Sequence, residues 1–240
     1  MDYGKVLGDS LVFAKDALWG KWKRWILLII STVIFPLIMG YVMEIWRGRT
    51  PAPDPEHWGK MFIDGLKLLV AGIIYAIPVI LIILAFGGFA FFSAIQSAAM
   101  AGDPNYFATH MDTLLPLIGT FLIGLCIAVI VGIVLALFYT IGFVRMARTD
   151  RFGEAFNWSA ILATIRKIGW GSYILSLIIL VIVAWIIGFI LNLFMAIPFI
   201  GWIIWLVLLP FLILFEARYI CMVYDSSGEG AASVQAVPPS

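Results

Sequence analysis

Charge is the scarcest property of this 240-residue sequence, with Asp, Glu, Lys and Arg together at 12% against 63% hydrophobic residues. A soluble domain of this size could not hide that much apolar surface from water, so lipid must cover the remainder. Surplus positive charge is missing too. The formal net charge is +1, and once the bases flanking apolar runs are set aside no basic surface is left for nucleic acid. Cysteine is limited to Cys126 and Cys221, both in or near the end of apolar runs, which excludes a disulfide framework. The two histidines, His57 and His110, lack metal-ligand spacing to any Cys, Asp or Glu. No phosphate loop, nucleophile elbow or H-E-x-x-H occurs, so the sequence predicts no enzyme, no catalytic residue, no cofactor and no metal. Asp103, His110 and Asp112 could gather a cation on one connection, but a solvated loop is the commoner explanation.

What is present is a series of long, continuous apolar runs without the alternation of strands. Within hydrocarbon such runs satisfy their own backbone only as helices. The expected fold is therefore an all-α polytopic membrane protein, with four or five transmembrane helices and interfacial amphipathic helices. Residues 68–92, 114–144, 172–196 and 199–224 each reach the ~20 residues that cross ~30 Å of hydrocarbon. Residues 25–46 are about long enough for a fifth, but Pro36 at the centre removes a hydrogen bond and forces a kink, so this segment either spans or is re-entrant. Pro198 predicts a tight hairpin between the last two spans. Residues 1–225 form one membrane domain, and the small, Pro-rich tail 226–240 reads as disordered. The polar residues 1–24, with Asp2, Asp9 and Asp16 among the bases, do not resemble a cleaved signal peptide.

Amphipathic segments fall at residues 5–19, 56–67 and 152–167 and read as connectors lying on the bilayer. They mark a faint repeat of interfacial helix plus hairpin. Gly40-Tyr41-Val42 followed by Arg47 recurs as Gly142-Phe143-Val144 followed by Arg148, each leaving an apolar run. No Lys or Arg occurs between Lys67 and Arg145 or between Lys167 and Arg218, so the connections around Asp103 and Pro198 face out and the C-terminus is expected in the cytoplasm of a cell membrane. A re-entrant 25–46 would put Lys5, Lys15, Lys21, Lys23 and Arg24 on the cytoplasmic side as well.

Small residues recur every fourth position at Gly124, Ala128, Gly132 and Ala136, and at Ser176, Gly188 and Asn192 along the next run. Such stripes let helix backbones approach, by packing within the chain or in a homo-oligomer. Asn192, the only amide well inside a span, and Glu216 and Arg218 near the inner end of the last one are the polar candidates at membrane depth.

Gly40-Tyr41, Arg47-Gly48, the prolines from Pro51 to Pro55, Trp58, Phe62, Asp64-Gly65-Leu66-Lys67, Tyr75 and Pro78 resemble a membrane family known as domain of unknown function 4013, frequent in methanogenic archaea. Arg145, the stretch Phe152-Gly153-Glu154-Ala155-Phe156 and Ala217-Arg218-Tyr219 extend the resemblance over nearly the whole chain before the tail. It implies an integral membrane protein of prokaryotic type and supplies no catalytic or ligand residues. The readings left open are an accessory or scaffold subunit with a membrane-protein partner, then a small-solute transporter or channel, then a membrane-shaping protein, with an enzyme last. The partners expected are the lipid bilayer and a second copy or another membrane protein.

Overall fold

The computed structural model describes residues 1–102, 106, 110–195, 197 and 200–229. Its helices are α1 (Tyr3–Leu18), α2 (Trp22–Val33), α3 (Phe35–Trp46), α4 (Trp58–Ala101), α5 (Met111–Thr149), α6 (Trp158–Ile168), α7 (Trp170–Phe194) and α8 (Ile200–Asp225), with a 3-10 turn at Phe152–Phe156 before α6. No strand occurs among the described residues. Trp58–Ala101, Leu114–Thr149, Trp170–Phe194 and Ile200–Asp225 are long and apolar enough to cross a membrane, and the chain is a multi-pass membrane protein.

The chain divides into two compact units, Met1–Ala71 with Phe138–Ser240, and Gly72–Leu137. In the first, α8 is the central post against which α1, α2, α3, α6 and α7 pack. Its fully buried Leu214, Phe215, Tyr219 and Cys221 form the core. In the second, α4 and α5 run antiparallel. A β-carbon at Gly124 would overlap Phe86, Gly87 lies against the Phe121 ring, and Gly132 faces Val79. Small residues on one helix thus receive large side chains from the other, and the outward Leu, Ile and Phe residues stay exposed for lipid.

Several boundaries differ from the sequence reading. The amphipathic segment 56–67 is not separate from the span at 68–92: α4 runs unbroken for 44 residues, about 66 Å at 1.5 Å per residue, because Lys67-Leu68-Leu69 favour helix and Gly65 alone does not break it. Residues 152–167 instead form two pieces. Asn157 accepts a hydrogen bond from the Ala160 N–H at 3.2 Å and so caps α6, leaving Phe152–Phe156 as the tighter 3-10 turn. The apolar face of α1 (Val6, Phe13, Ala14 and Ala17) is covered by α8 rather than left for the bilayer. The start of the tail is ordered as far as Glu229, whose carboxylate meets Arg145 at 2.9 Å and Lys167 at 2.6 Å. The remainder of the tail and the turn at Pro198 lie outside the described residues. Beside that turn, Gly201 is so close to the Phe194 carbonyl that a β-carbon there would overlap it.

The segment 25–46 is broken rather than kinked. Pro36, in the first turn of α3, has no N–H to continue the ladder from α2, and Ile34 leaves helical geometry between the two. Arg24, at the start of α2, forms an ion pair with Asp54 at 2.7 Å, in the loop after α3. Pro53 beside it accepts a hydrogen bond from Tyr41 Oη at 2.8 Å. Lys21, Arg24 and Leu27 line one cleft with Asp54 and Glu56. In a straight helix Arg24 and Tyr41 would stand about 25 Å apart. The two ends of the segment therefore lie together, and the chain doubles back at Ile34.

This geometry makes a topological prediction. In a Cys126→Ala/Cys221→Ser background, cysteines placed singly at the exposed Lys15 and Lys60 should behave alike toward an impermeant maleimide, both reacting only after the membrane is opened or both reacting on intact cells. Reaction at one position alone would mean that the segment crosses.

Candidate functional site

The charged residues of the first unit gather at one end, where α3 and α5 leave their apolar runs. Arg47, just past α3, reaches Glu44 at 2.6 Å, Asp64 of α4 at 2.7 Å and Asp150, just past α5, at 3.0 Å. Asp64 is 2% and Glu44 8% exposed, so each carboxylate needs a close cation to offset its lost hydration. Lys67 also meets Asp64 at 3.3 Å, and Arg49 and Lys60 meet Glu44 at 3.0 and 3.6 Å. Arg148 pairs with Asp225 at 2.5 Å, lies over the Tyr224 ring and abuts Gly48, whose φ of +88° favours glycine. Arg145 completes the layer. It donates to Glu154 and Glu229, both at 2.9 Å, and to Thr164 Oγ1 at 3.1 Å.

The hydrogen bond from Arg145 and a second from Asn157 at 3.1 Å hold the Glu154 carboxyl below the usual range. For Asp150, burial favours the neutral acid, but the hydrogen bond and charge of Arg47, with Lys67 and Lys60, outweigh it and the carboxyl is again lowered. These carboxylates are satisfied by cations of the same chain, so the layer is a clamp rather than an open receptor.

The clamp gives the sequence repeat a geometric meaning. A β-carbon on Gly40 would overlap the Met61 carbonyl, and one on Gly65 the Pro36 carbonyl, so α3 and the start of α4 cross backbone against backbone. Gly142 makes the equivalent approach, its β-carbon position 2.5 Å from the Ala155 carbonyl oxygen. In each case the glycine seats the next segment. Arg47 then binds Asp64 in that segment, whereas its counterpart in the repeat, Arg148, turns to Asp225 of α8, and it is Arg145 that binds Glu154. The third exit, at the end of α8, supplies acids instead: Asp225 and Glu229. The sequence offered the glycines and arginines as a pattern, but not their acceptors.

The other candidates separate. Gly124, Ala128 and Gly132 belong to the α4–α5 unit, where Gly124 and Gly132 face α4 and Ala128 is buried; Ala136 is half-buried on the same helix. Ser176 is fully buried and its carbonyl accepts from Tyr219 Oη at 3.0 Å, which fixes α7 to α8. Gly188 meets nothing within 4 Å. With Ala184, Trp185, Phe189 and Asn192 it lines an open concavity of about 510 Å³ on α7. Asn192 is exposed there, and its side chain forms no hydrogen bond to a described residue. Glu216 and Arg218 diverge, as residues two apart on a helix must. Arg218 lies over the Phe13 ring at 5.2 Å, and Glu216 is within electrostatic reach of Tyr139. His110 stacks on Tyr106 at 4.4 Å, Asp112 lies in the first turn of α5, and Asp103 is outside the described residues. Among the described residues no group of three His, Cys, Asp or Glu could hold a metal.

A protein-family model described as "Protein of unknown function (DUF4013)" matches residues 25–199, which include the first apolar segment and all of α4 to α7. No curated protein and no solved structure matches the chain.

Two measurements test the clamp. Arg47→Met leaves Glu44 and Asp64 short of their closest cation and should lower stability in detergent by about 3–5 kcal/mol, whereas Lys15→Met, on an exposed side chain, should stay within about 0.5 kcal/mol. Lowering of the Glu154 carboxyl means that its stabilisation is complete above the unfolded pKa of about 4.3 and is lost as pH falls through the folded value. Thermal melts should therefore weaken below about pH 5, and Glu154→Gln should be less stable at neutral pH with a shallower acid limb.

Proposed function

The chain belongs to the DUF4013 family, to which no activity is attached, and from that premise we propose that it is a non-catalytic subunit that docks another membrane protein through α7. The observation that carries this reading is Asn192. In hydrocarbon an amide without a hydrogen-bonding partner is unfavourable by several kcal/mol. This one stands on a helix face whose neighbours one and two turns away, Gly188 and Ala184, are small enough to admit a second backbone. A transmembrane helix crossing at Gly188 would fill the concavity and supply a donor or acceptor to the amide. The charge layer supports the reading indirectly, since its carboxylates are already bound by the chain's own cations and do not line an open path for a solute.

A second reading rests on Glu216. This half-buried carboxyl lies nine residues inside α8 and forms no ion pair among the described residues, and ionisable groups within spans mark solute or proton paths.

The test is extraction into native nanodiscs with a photo-crosslinking residue at Trp185. The expected result is one stoichiometric membrane partner crosslinked through α7. Gly188→Leu should abolish the crosslink while the protein remains folded, because a side chain there meets only open space. A crosslink indifferent to Gly188→Leu, or recovery of the protein alone, would sink the subunit reading. Solute flux in proteoliposomes that is lost in Glu216→Gln would put transport in its place.

A further inference from the structure

Arg24, Arg47, Arg49, Arg145 and Arg148 of the first unit each have a carboxylate oxygen within 3.0 Å. Arg218 forms no ion pair among the described residues. The charge of Asp225 is felt at Arg218, but that acid is bound to Arg148. Arg218 instead rests against the face of Phe13, which holds the guanidinium plane by a cation–π contact and leaves its N–H edges available. Those edges border a cleft of about 450 Å³ between α1, the loop at Thr50–Ala52 and α8.

The walls of this cleft carry both signs of charge over an apolar floor. Arg218 and Lys21 are the cations, Asp9 and Asp16 the anions, and Phe13 and Ala52 contribute to the floor. Asp9 and Asp16 flank Phe13 along α1, four residues before it and three after, or about 6 and 4.5 Å of helix rise. A carboxylate thus lies to either side of the ring on which Arg218 rests. Arg218 is seven residues from the end of α8, about 10 Å along its axis. Beside it Trp46 Nε1 donates to the Ala217 carbonyl at 3.2 Å and ties the end of α3 to α8 at this level.

We propose that this cleft binds a phosphate ester carrying a primary ammonium, as in the headgroup of an aminophospholipid, with the phosphate on Arg218 and the ammonium on Asp9 or Asp16. Arginine presents paired N–H donors that match two phosphate oxygens. An ammonium donates hydrogen bonds to a carboxylate, which a quaternary amine cannot do. The apolar floor receives the first carbons of the lipid. A purely anionic headgroup is disfavoured because the two aspartates would face it.

The full-length protein in detergent, titrated with phosphatidylethanolamine, phosphatidylcholine and phosphatidylglycerol of matched acyl chains and followed by native mass spectrometry, tests this. Phosphatidylethanolamine is expected to bind at least tenfold more tightly than phosphatidylcholine, and Arg218→Gln to remove at least tenfold of that affinity. The Asp9→Asn/Asp16→Asn variant should reverse the order in favour of phosphatidylglycerol, a gain that misfolding cannot imitate. Equal binding of the three lipids, or affinities unchanged in both variants, would overturn the proposal. Soluble phosphoethanolamine distinguishes the source: binding far weaker than the lipid's supports a bilayer ligand, and equal binding overturns the lipid assignment.

Discussion

Two carboxylates with almost no access to water, Glu44 and Asp64, require a fixed cation, and Arg47 is the closest one to both. Its guanidinium can serve Glu44, Asp64 and Asp150 together only if the ends of α3 and α5 and the first turns of α4 meet at one point. The glycine crossings make that meeting sterically feasible. Gly40 and Gly65 bring backbones closer than any side chain would permit, and Gly142 repeats the approach on the next segment. Burial of charge and removal of β-carbons are thus two sides of one arrangement. The charges fix which segments converge, and the glycines fix how near they come.

The apolar part of the molecule obeys a different rule. Between lipid-exposed helices there is no water to expel, so association depends on close packing and on backbone polar groups. The α4–α5 pair uses small residues set against Phe86, Phe121 and Val79. The α7–α8 pair combines a hydroxyl-to-carbonyl bond, Tyr219 to Ser176, with the tight approach at Gly201. Asn192 breaks this pattern: near the end of α7 its side-chain amide is exposed and forms no hydrogen bond to a described residue.

Hydropathy made the membrane class, the four long helices and the special character of Pro36 legible, because each rests on local chemistry. The motif of glycine, aromatic residue, valine and later arginine was visible for the same reason. What the pattern could not convey was long-range. That Arg24 would meet Asp54, that the amphipathic α1 would spend its apolar face on α8, and that Glu229 would be drawn out of the tail by Arg145 and Lys167 all depend on which segments share space. Asp64 reads in the sequence as one polar position on an amphipathic helix, and only the fold reveals it as the buried centre of the clamp. The boundary errors have local causes after all: the cap at Asn157 and the lack of a breaker after Lys67 were written in the chain, but hydropathy outweighed them.

One consequence concerns the order in which the molecule can be made. Trp25 and Trp46 hydrogen-bond to carbonyls 182 and 171 positions away in sequence, on α8. Arg47 takes one acceptor 17 positions on and another 103 positions on. A ribosome delivers the amino-terminal segment first, so α2 and α3 emerge when most of these acceptors have yet to be synthesised. The segment translated earliest is therefore among the last to reach its final contacts. Until α8 arrives, water or lipid headgroups must solvate the two indole N–H groups, and the nascent chain begins its biogenesis before its eventual anchor has been made.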